Sequence, residues 1–469
     1  MDCLWYIGGN VSSFTVWHWC GIFLTFAAVF IAIFATAQKS SLENFSVGGR
    51  ASGPWLVAGA LVGTIVGGSA TVGTAQGAVS AGFSAWWFTF GSTLGFILLG
   101  KVYAGPLRAS GLKTIAEYMA ARYGKMAGVA TSIVSVLGIF FSLVASGLAG
   151  IHFMQILFPV SELTGTLLLL VIVVLYVLAG GIRGTAVSGI VKTVLLYSTL
   201  IIAGVYAWRG LAQLPATTVW HADWLWPQSG NGWRMFATNC LSVIIGVAVT
   251  QSYAQALYSA RDAETAARGS YLAAALCMPV GLPLILIGIH THFMTPSIDA
   301  VTALPMFMQM HLPALLAGLG VGAILLSIIG SIAGLSLGAA TSIAVDIFES
   351  GFGVKGQKRL LFILQAALIM LVLAAFSVSL YRYHSQILYW NFLSFSLRGA
   401  GVFLPFLLAI YAKGPTSEKS TTANILFSTL IAVLSIGNDT FTLNPLYVGI
   451  GTAACWLLVE TIWRRIDRH

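Results

Sequence analysis

The chain has 469 residues, of which 58% are hydrophobic and only 8% are charged. Soluble globular domains carry about 25% charged residues, so this composition excludes an ordinary water-soluble protein. The formal net charge of +9 is dispersed among apolar stretches, which is typical of charge that sets membrane topology and not of a nucleic-acid-binding surface.

Apolar stretches in chain order predict about thirteen transmembrane helices. One membrane-spanning helix needs roughly 20 apolar residues, and short charged or Gly/Pro-containing breaks separate stretches of this length. We therefore predict a single transmembrane transporter domain over residues 1–469. The predicted spans lie near 14–37, 54–78, 82–101, 126–158, 163–181, 185–207, 235–258, 268–291, 313–347, 359–380, 386–412, 421–438 and 444–463.

The second predicted span is rich in glycine and hydroxyl residues. It contains the adjacent pair Gly67 and Gly68, and each interior glycine costs a helix about 0.5–1 kcal/mol relative to alanine. Small residues in a span permit close packing between helices. They equally permit an interrupted helix, whose free carbonyls can coordinate a cation. The glycines alone leave both interpretations open, and the adjacent pair favours the interruption.

The basic residues predict how the spans are oriented. The loop 102–124, which contains a short amphipathic helix around Thr114–Arg122, is rich in lysine and arginine. The other loops on the same side of the membrane carry many lysines and arginines as well. The opposite side carries only three basic residues, Arg209, Arg234 and Arg382. Because basic loops stay cytoplasmic, we predict a multi-pass protein of the inner cell membrane with its N-terminus outside and its C-terminus inside.

The seventh and ninth spans also depart from plain apolar runs. The seventh has a polar second half that includes Gln251 and Tyr253, and the ninth ends in the adjacent hydroxyls Thr341 and Ser342. The second and seventh spans are five apart, which is the interval expected for corresponding helices of an inverted five-helix repeat. This arrangement is typical of alternating-access carriers.

Four stretches resemble motifs of the sodium:solute symporter family, which includes proline, pantothenate, sialic acid and sugar carriers. They are FSVGGR (45–50), LAGGIRGTAVSGIVKTVLL (178–196), TQSYAQALYSARDAETAARG (250–269) and AATSIAVDIFE (339–349). The resemblance covers roughly residues 40–412. It implies an all-α protein with a LeuT-like core of two inverted five-helix repeats, about 54–207 and 235–412, and peripheral helices at 14–37, 421–438 and 444–463.

The resemblance also implies one cation site and sodium as the coupling ion. Backbone carbonyls of Gly63, Val66 and Leu337 and the hydroxyl of Thr341 would bind the ion. A further hydroxyl of the family falls on Ala340, and Ser342 is the candidate to replace it.

At three positions this chain differs from the family pattern in a way that changes charge or polarity. An acidic residue of the family falls on Gly189, a glutamine on Lys192, and the aspartate of proline-type carriers on Ile65. We therefore expect no second, acid-dependent sodium site. Lys192 either places a fixed positive charge where the family has a carboxylate or snorkels to the cytoplasmic surface.

The function predicted from these features is sodium-coupled symport of a small organic solute, with a slight preference for a carboxylate or an amino acid. Arg398 lies at membrane depth, where it either binds such an anion or holds helix-end carbonyls. The residues predicted to bind the solute are Ser69, Thr71, Gln76, Gln251, Tyr253 and Arg398. Neither an enzyme activity, a cofactor other than Na⁺, nor an obligate protein partner is expected. A proton-coupled or uncoupled carrier on the same fold and a solute or ion channel are the alternatives.

Overall fold

The protein is described here by a computed structural model, which defines residues 14–35, 48–158, 160–219, 232–412, 417–436 and 444–466. These residues form helices joined by short connections, as the all-α prediction requires. The extended backbone among them is one isolated bridge between Ser52 and Ala260. Parts of two predicted spans (36–37 and 437–438) and of the first motif (45–47) lie outside the described residues.

Nineteen α-helices follow one another along the described chain. The first nine are α1 (Val16–Ala35), α2 (Pro54–Ile65), α3 (Thr74–Ala81), α4 (Trp87–Leu98), α5 (Ala104–Ser110), α6 (Ile115–Tyr123), α7 (Lys125–Leu157), α8 (Glu162–Leu211) and α9 (Ala216–Val219). The others are α10 (Gly232–Ala248), α11 (Gln251–Tyr258), α12 (Ala263–Cys277), α13 (Gly281–Met294), α14 (Ala303–His311), α15 (Ala314–Ser342), α16 (Gln357–Tyr381), α17 (Ile387–Tyr411), α18 (Glu418–Leu434) and α19 (Pro445–Ile466).

Nine helical segments of the described chain are long and apolar enough to cross a membrane, or ten if one bent pair is a single span. The total of thirteen therefore remains a prediction. Helical backbone runs without interruption through the 50 residues of α8. The hydroxyls of Tyr176 and Ser188, twelve residues apart, are nevertheless hydrogen-bonded, and because a straight helix would separate them by about 18 Å, the chain turns between the predicted spans near 163–181 and 185–207. The amphipathic helix predicted in the loop 102–124 is α6, which Thr114 and Glu117 begin with a reciprocal capping box.

The second predicted span is interrupted, as the glycine pair indicated. Helix α2 ends at Ile65, and Val66 leaves helical geometry with φ −82° and ψ 78°. A π-helical turn over Ser69–Gly73 then leads into α3. The close-packing interpretation is also correct, since a Cβ atom on Gly67 would lie 2.2 Å from the Cβ atom of Ser331. The same glycines thus permit both the break and the approach of α15.

The seventh predicted span is broken as well. Helices α10 and α11 meet at an angle of 44° across Val249 and Thr250. Helix α15 passes both interrupted spans, because a Cβ atom on Gly334 would meet Thr64 and one on Gly338 would meet Ser252. The fold therefore places two helix breaks beside one long, small-residue helix.

Candidate functional site

The break after α2 releases backbone carbonyls that a continuous helix would use. In an unbroken helix the Gly63 carbonyl would accept from the amide of residue 67, but that amide donates to the Ile65 carbonyl at 3.0 Å. Side chains of α15 compensate in part. The Ser327 hydroxyl donates to the Val66 carbonyl at 3.0 Å, and the Ser331 hydroxyl donates to the Thr64 carbonyl.

Lys192 of α8 donates to the carbonyls at this break. Its Nζ atom lies 2.6 Å from the Gly63 oxygen, 3.1 Å from the Ser327 oxygen and 3.5 Å from the Val66 oxygen. We call these three oxygens the carbonyl cage. The side chain is only 1% exposed, so the prediction that it snorkels to the surface is wrong. The ammonium group occupies a position that two helices line with uncharged oxygen atoms.

Glycines on two helices create the space for this arrangement. A Cβ atom on Gly330 would lie 2.8 Å from the Lys192 Nζ atom, and one on Gly189 would lie 2.0 Å from the Gly59 carbonyl oxygen. The family's acidic residue therefore has no room at position 189, where α8 and α2 touch through their backbones. Ile65, the other position that lacks an expected acid, is buried in the core.

The structure does not gather the predicted cation-binding residues into one site. Gly63 and Val66 lie together at the carbonyl cage. Thr341 lies ten residues beyond Ser331 on the same continuous helix, about 15 Å further along at the usual rise of an α-helix. Its hydroxyl donates to the Leu337 carbonyl at 2.8 Å and accepts from Gln255 at 3.0 Å.

Ser342 follows Thr341 on α15 and is equally remote from the cage; its carbonyl accepts from the Ser132 hydroxyl. The residues that α15 contributes to the break are Ser327, Gly330 and Ser331, and the sequence analysis missed them. The available signal was the pair of serines one helical turn apart, upstream of the recognised motif 339–349.

Arg398 stabilises the other helix break. The fully buried guanidinium donates to the Thr250 hydroxyl at 2.7 Å and to the Ser142 hydroxyl at 3.3 Å. It also bonds to the Ser394 carbonyl and hydroxyl and lies 4.8 Å from the centre of the Phe395 ring. These hydrogen bonds go to three hydroxyls and to the Ser394 carbonyl inside α17, and not to the helix-end carbonyls given as the structural alternative for Arg398.

The predicted solute-binding residues are dispersed. Gln76 lines a cavity described below. Ser69 accepts from Asn391, and the Thr71 hydroxyl donates back to the Gly67 carbonyl. Gln251 is bonded to the backbone of Lys113 and Ile115, and Tyr253 packs edge-on against Phe96. Of the six predicted residues, Gln76 alone lines this cavity.

The cavity has a volume of about 500 Å³ and lies beside the second half of the first interrupted helix. It is lined by Gly73, Gln76, Gly77, Ser80, Ala81, Ser84, Ala85, Trp87, Met235, Phe236, Asn239, Gln386, Leu388, Tyr389 and Phe392. The lining combines amide and hydroxyl groups with four aromatic rings and includes no charged side chain. A second groove of about 550 Å³, between α18 and α19, has an almost wholly apolar surface and is remote from both breaks.

The sequence profile of the sodium:solute symporter family matches residues 45–425. The chain belongs to this family. The high-affinity choline transporter 1 of Torpedo marmorata is 25% identical over 82% of this chain and 69% of its own length. The human protein of the same name is 26% identical over 68% of this chain and 59% of its own length, and the uncharacterised symporter YwcA of Bacillus subtilis is 26% identical over 70% and 68%.

Solved structures have the same fold at low sequence identity. A Na⁺-coupled sialic acid symporter superposes with a TM-score of 0.79 and 16% identity, covering 95% of this chain and 97% of its own. The nucleobase-cation-symport-1 family transporter Mhp1 gives a TM-score of 0.59 at 14% identity, over 89% and 94%. The fold of this family member is thus LeuT-like, as the sequence predicted.

Proposed function

We propose that the protein is a sodium-coupled symporter that carries a small organic solute without net negative charge across the cell membrane by alternating access. Membership of a sodium-coupled family supports the ion. The observation that carries the solute class is the cavity of about 500 Å³, whose lining combines amides, hydroxyls and aromatic rings without a charged side chain. A volume of this order suits one small solute.

The location of the two buried cations argues against a carboxylate solute. The preference for an anion rested on Lys192 and Arg398, but both donate their hydrogen bonds to protein oxygens and neither lines the cavity. A carboxylate in the cavity would be desolvated without a charged partner, which is costly. Aromatic faces such as those of Trp87, Phe236 and Tyr389 instead attract quaternary ammonium groups. The similarity to choline transporters makes choline the first solute to test.

The contacts at the two ends of the molecule support a state that is open to the outside. At the predicted cytoplasmic end, Gln251 bonds to the backbone at the start of α6, and the Tyr258 hydroxyl donates to the Thr114 carbonyl at 3.1 Å. At the opposite end the cavity includes Ser80, which is exposed. We infer that these inner contacts separate when the carrier turns inward.

Uptake of radiolabelled choline into proteoliposomes tests this function. We expect accumulation that saturates and is driven by an inward Na⁺ gradient, with K⁺ replacing Na⁺ in the control. Choline trapped inside should accelerate uptake from outside, because a carrier exchanges solute whereas a channel does not. Gln76→Ala should reduce uptake at least tenfold, whereas Thr452→Val in the remote groove should leave it unchanged.

A thermal-stability screen extends the test beyond choline. A ligand that binds only the folded state raises the melting temperature, so we expect stabilisation by choline or by an uncharged solute such as glucose. If lactate or another monocarboxylate alone stabilised the protein, and Gln76→Ala abolished that effect, the proposed solute class would be wrong.

A further inference from the structure

Asp346 is the only acidic side chain that is buried among the described residues. It lies in the π-helical segment Ile343–Gly351, which continues α15 at the predicted cytoplasmic end. We propose that Asp346, with the hydroxyls of Thr114, Ser132 and Ser342, binds a sodium ion that holds this end of the carrier closed. We call these four side chains the inner site. The inference rests on the proposed sodium-coupled transport and adds to it a cation site separate from the carbonyl cage.

The two oxygen atoms of the Asp346 carboxyl are unequally satisfied. The Thr114 hydroxyl donates to Oδ1 at 2.6 Å. Oδ2 is buried as well, but it accepts no hydrogen bond from the residues that the structure describes. A buried carboxylate is costly unless it is paired or hydrogen-bonded, and buried polar atoms without a partner are rare in folded proteins. The free oxygen therefore points to a ligand that the chain itself does not supply.

The charged side chains near Asp346 do not compensate its charge. In the described part of the chain no lysine or arginine is hydrogen-bonded to it. The charged side chain that acts on Asp346 is Glu117, which is also acidic. The Glu117 carboxylate accepts from the backbone amides of Lys113 and Thr114, at 2.6 Å and 3.2 Å. Both carboxyl groups thus favour a cation in this region of the molecule.

The surroundings of Asp346 offer oxygen ligands from other helices. The hydroxyls of Ser132 and Ser342 lie close enough to the carboxyl to interact with it, although neither donates to Oδ2. The Ser132 hydroxyl of α7 also donates to the Ser342 carbonyl at 3.3 Å. Hard cations prefer such oxygen ligands, and calcium sites usually contain several carboxylates. One carboxylate among three hydroxyls instead suits a monovalent ion.

The position of the inner site indicates what a bound ion does. Thr114 precedes α6, Ser132 belongs to α7, and Asp346 follows α15, so three segments contribute oxygen atoms. The Thr114 carbonyl also accepts from the Tyr258 hydroxyl, which is one of the contacts that separate when the carrier turns inward. An ion shifts two states only by the difference in its affinity for them. Sodium bound by all three segments therefore stabilises the state in which the inner end is closed.

Binding of ²²Na⁺ to the purified full-length protein tests the proposal without any solute. The pH is held fixed, and N-methyl-D-glucamine keeps the ionic strength constant. Asp346→Asn retains the shape of the side chain and an oxygen for Thr114, and we expect it to bind one Na⁺ fewer than the wild type. Ser132→Ala should weaken the binding of that ion about tenfold, because it removes a polar partner of a charge. Thr131→Val is the matched control, since the Thr131 hydroxyl bonds to Ala127 of its own helix.

Hydrogen exchange in the wild type guards against variants that fail to fold. Na⁺ should slow exchange over Ile115–Tyr123, the helix that begins next to Thr114, whereas N-methyl-D-glucamine should not. In a folded Asp346→Asn protein Na⁺ should leave this exchange unchanged. A purely structural role of Asp346 would alter the exchange of the variant but would not make wild-type exchange depend on the ion.

Three results would overturn the proposal. The first is a folded Asp346→Asn protein that binds as many sodium ions as the wild type, with the same affinity. The second is exchange over Ile115–Tyr123 in the wild type that does not respond to Na⁺. The third is protection of this helix by K⁺ and not by Na⁺, which would assign the inner site to another ion.

Failure of the inner site is distinguishable from failure of the proposed function, which solute uptake measures. If the wild type takes up no solute, yet Asp346→Asn binds one Na⁺ fewer, the inner site stands and the symporter assignment fails. If Asp346→Asn takes up solute with the same dependence on Na⁺ as the wild type, the symporter assignment stands and the inner site fails.

Discussion

Two fully buried basic side chains lie at the two helix breaks. Lys192 donates to the carbonyls released after α2, and Arg398 donates to Thr250 at the junction of α10 and α11. A charge inside a membrane protein is costly unless it is hydrogen-bonded, and unwound backbone at this depth needs partners as well. Each basic side chain thus donates hydrogen bonds to polar groups at a helix break, and those polar groups in turn stabilise its positive charge.

The glycine at position 189 is explained by the close packing of α8 against α2 and not by a chemical role of the residue. A Cβ atom there would lie 2.0 Å from the Gly59 carbonyl oxygen, whereas a Cβ atom on Gly53 would meet nothing within 4 Å. Overpacking of a core costs about 1–3 kcal/mol. We expect Gly189→Ala to lower the free energy of unfolding by at least this amount and Gly53→Ala to leave it nearly unchanged.

Thermal melts of the two glycine variants in detergent, followed by fluorescence-detected size exclusion, provide the measurement. Equal melting temperatures for Gly189→Ala and Gly53→Ala would contradict the contact between α8 and α2, and with it the geometry that brings Lys192 to the carbonyl cage.

In the proposed function, transport depends on the interrupted helices. The adjacent glycines 67 and 68 permit a break on which α15 closes from one side and Ala149 of α7 from the other. At the second break no glycine pair occurs, and the chain bends at Val249 and Thr250. The glycine-rich composition of the second span therefore predicted the first break. The only sequence signal for the second break was the polar second half of the seventh span.

The short helix α6 depends on one threonine. The Thr114 hydroxyl accepts from the Glu117 amide at 2.9 Å and donates to the Asp346 carboxyl at 2.6 Å. Thr114→Val removes both bonds, so we expect a loss of about 2–4 kcal/mol from the cap and the buried carboxyl together. Thr114→Ser keeps the hydroxyl and is the matched control.

Hydrogen exchange over Ile115–Tyr123, together with the melting temperature, measures this effect. Thr114→Val should exchange faster in this helix than Thr114→Ser. Identical protection in the two variants would show that the capping hydroxyl does not stabilise α6.

At the scale of the whole molecule the two ends differ in chemistry. One end is held by side chain and backbone contacts, including Arg108 on the Ala260 and Arg261 carbonyls and the bridge between Ser52 and Ala260. The cavity lies toward the other end of the interrupted helix. The excess of lysine and arginine predicts that the first end faces the cytoplasm.

Labelling of single cysteines from outside intact cells tests this orientation. In a background with the five native cysteines replaced, Ser80→Cys should react with a membrane-impermeant maleimide added to intact cells. Arg261→Cys, at a side chain that is 66% exposed, should react only after permeabilisation. The opposite pattern would reverse the proposed orientation.

The sequence by itself determined the class, the family and the first break. These properties follow from local composition: too few charges for a soluble protein, four motifs in order, and the adjacent glycines 67 and 68 that permit a helix to be interrupted. The resemblance to the family also pointed to Gly63 and Val66, which lie at that break.

The tertiary structure alone decided which groups meet those carbonyls. The family resemblance predicted that Leu337 and Thr341 of α15 bind the cation. The packing of α15 on α2 instead brings Ser327 and Ser331 to the break. It also brings Lys192 to the cage from α8, which is more than a hundred residues away along the chain. Helix packing fixes such contacts through the close approach of glycines on different helices, and this approach depends on how the helices are arranged and not on the pattern within any one of them.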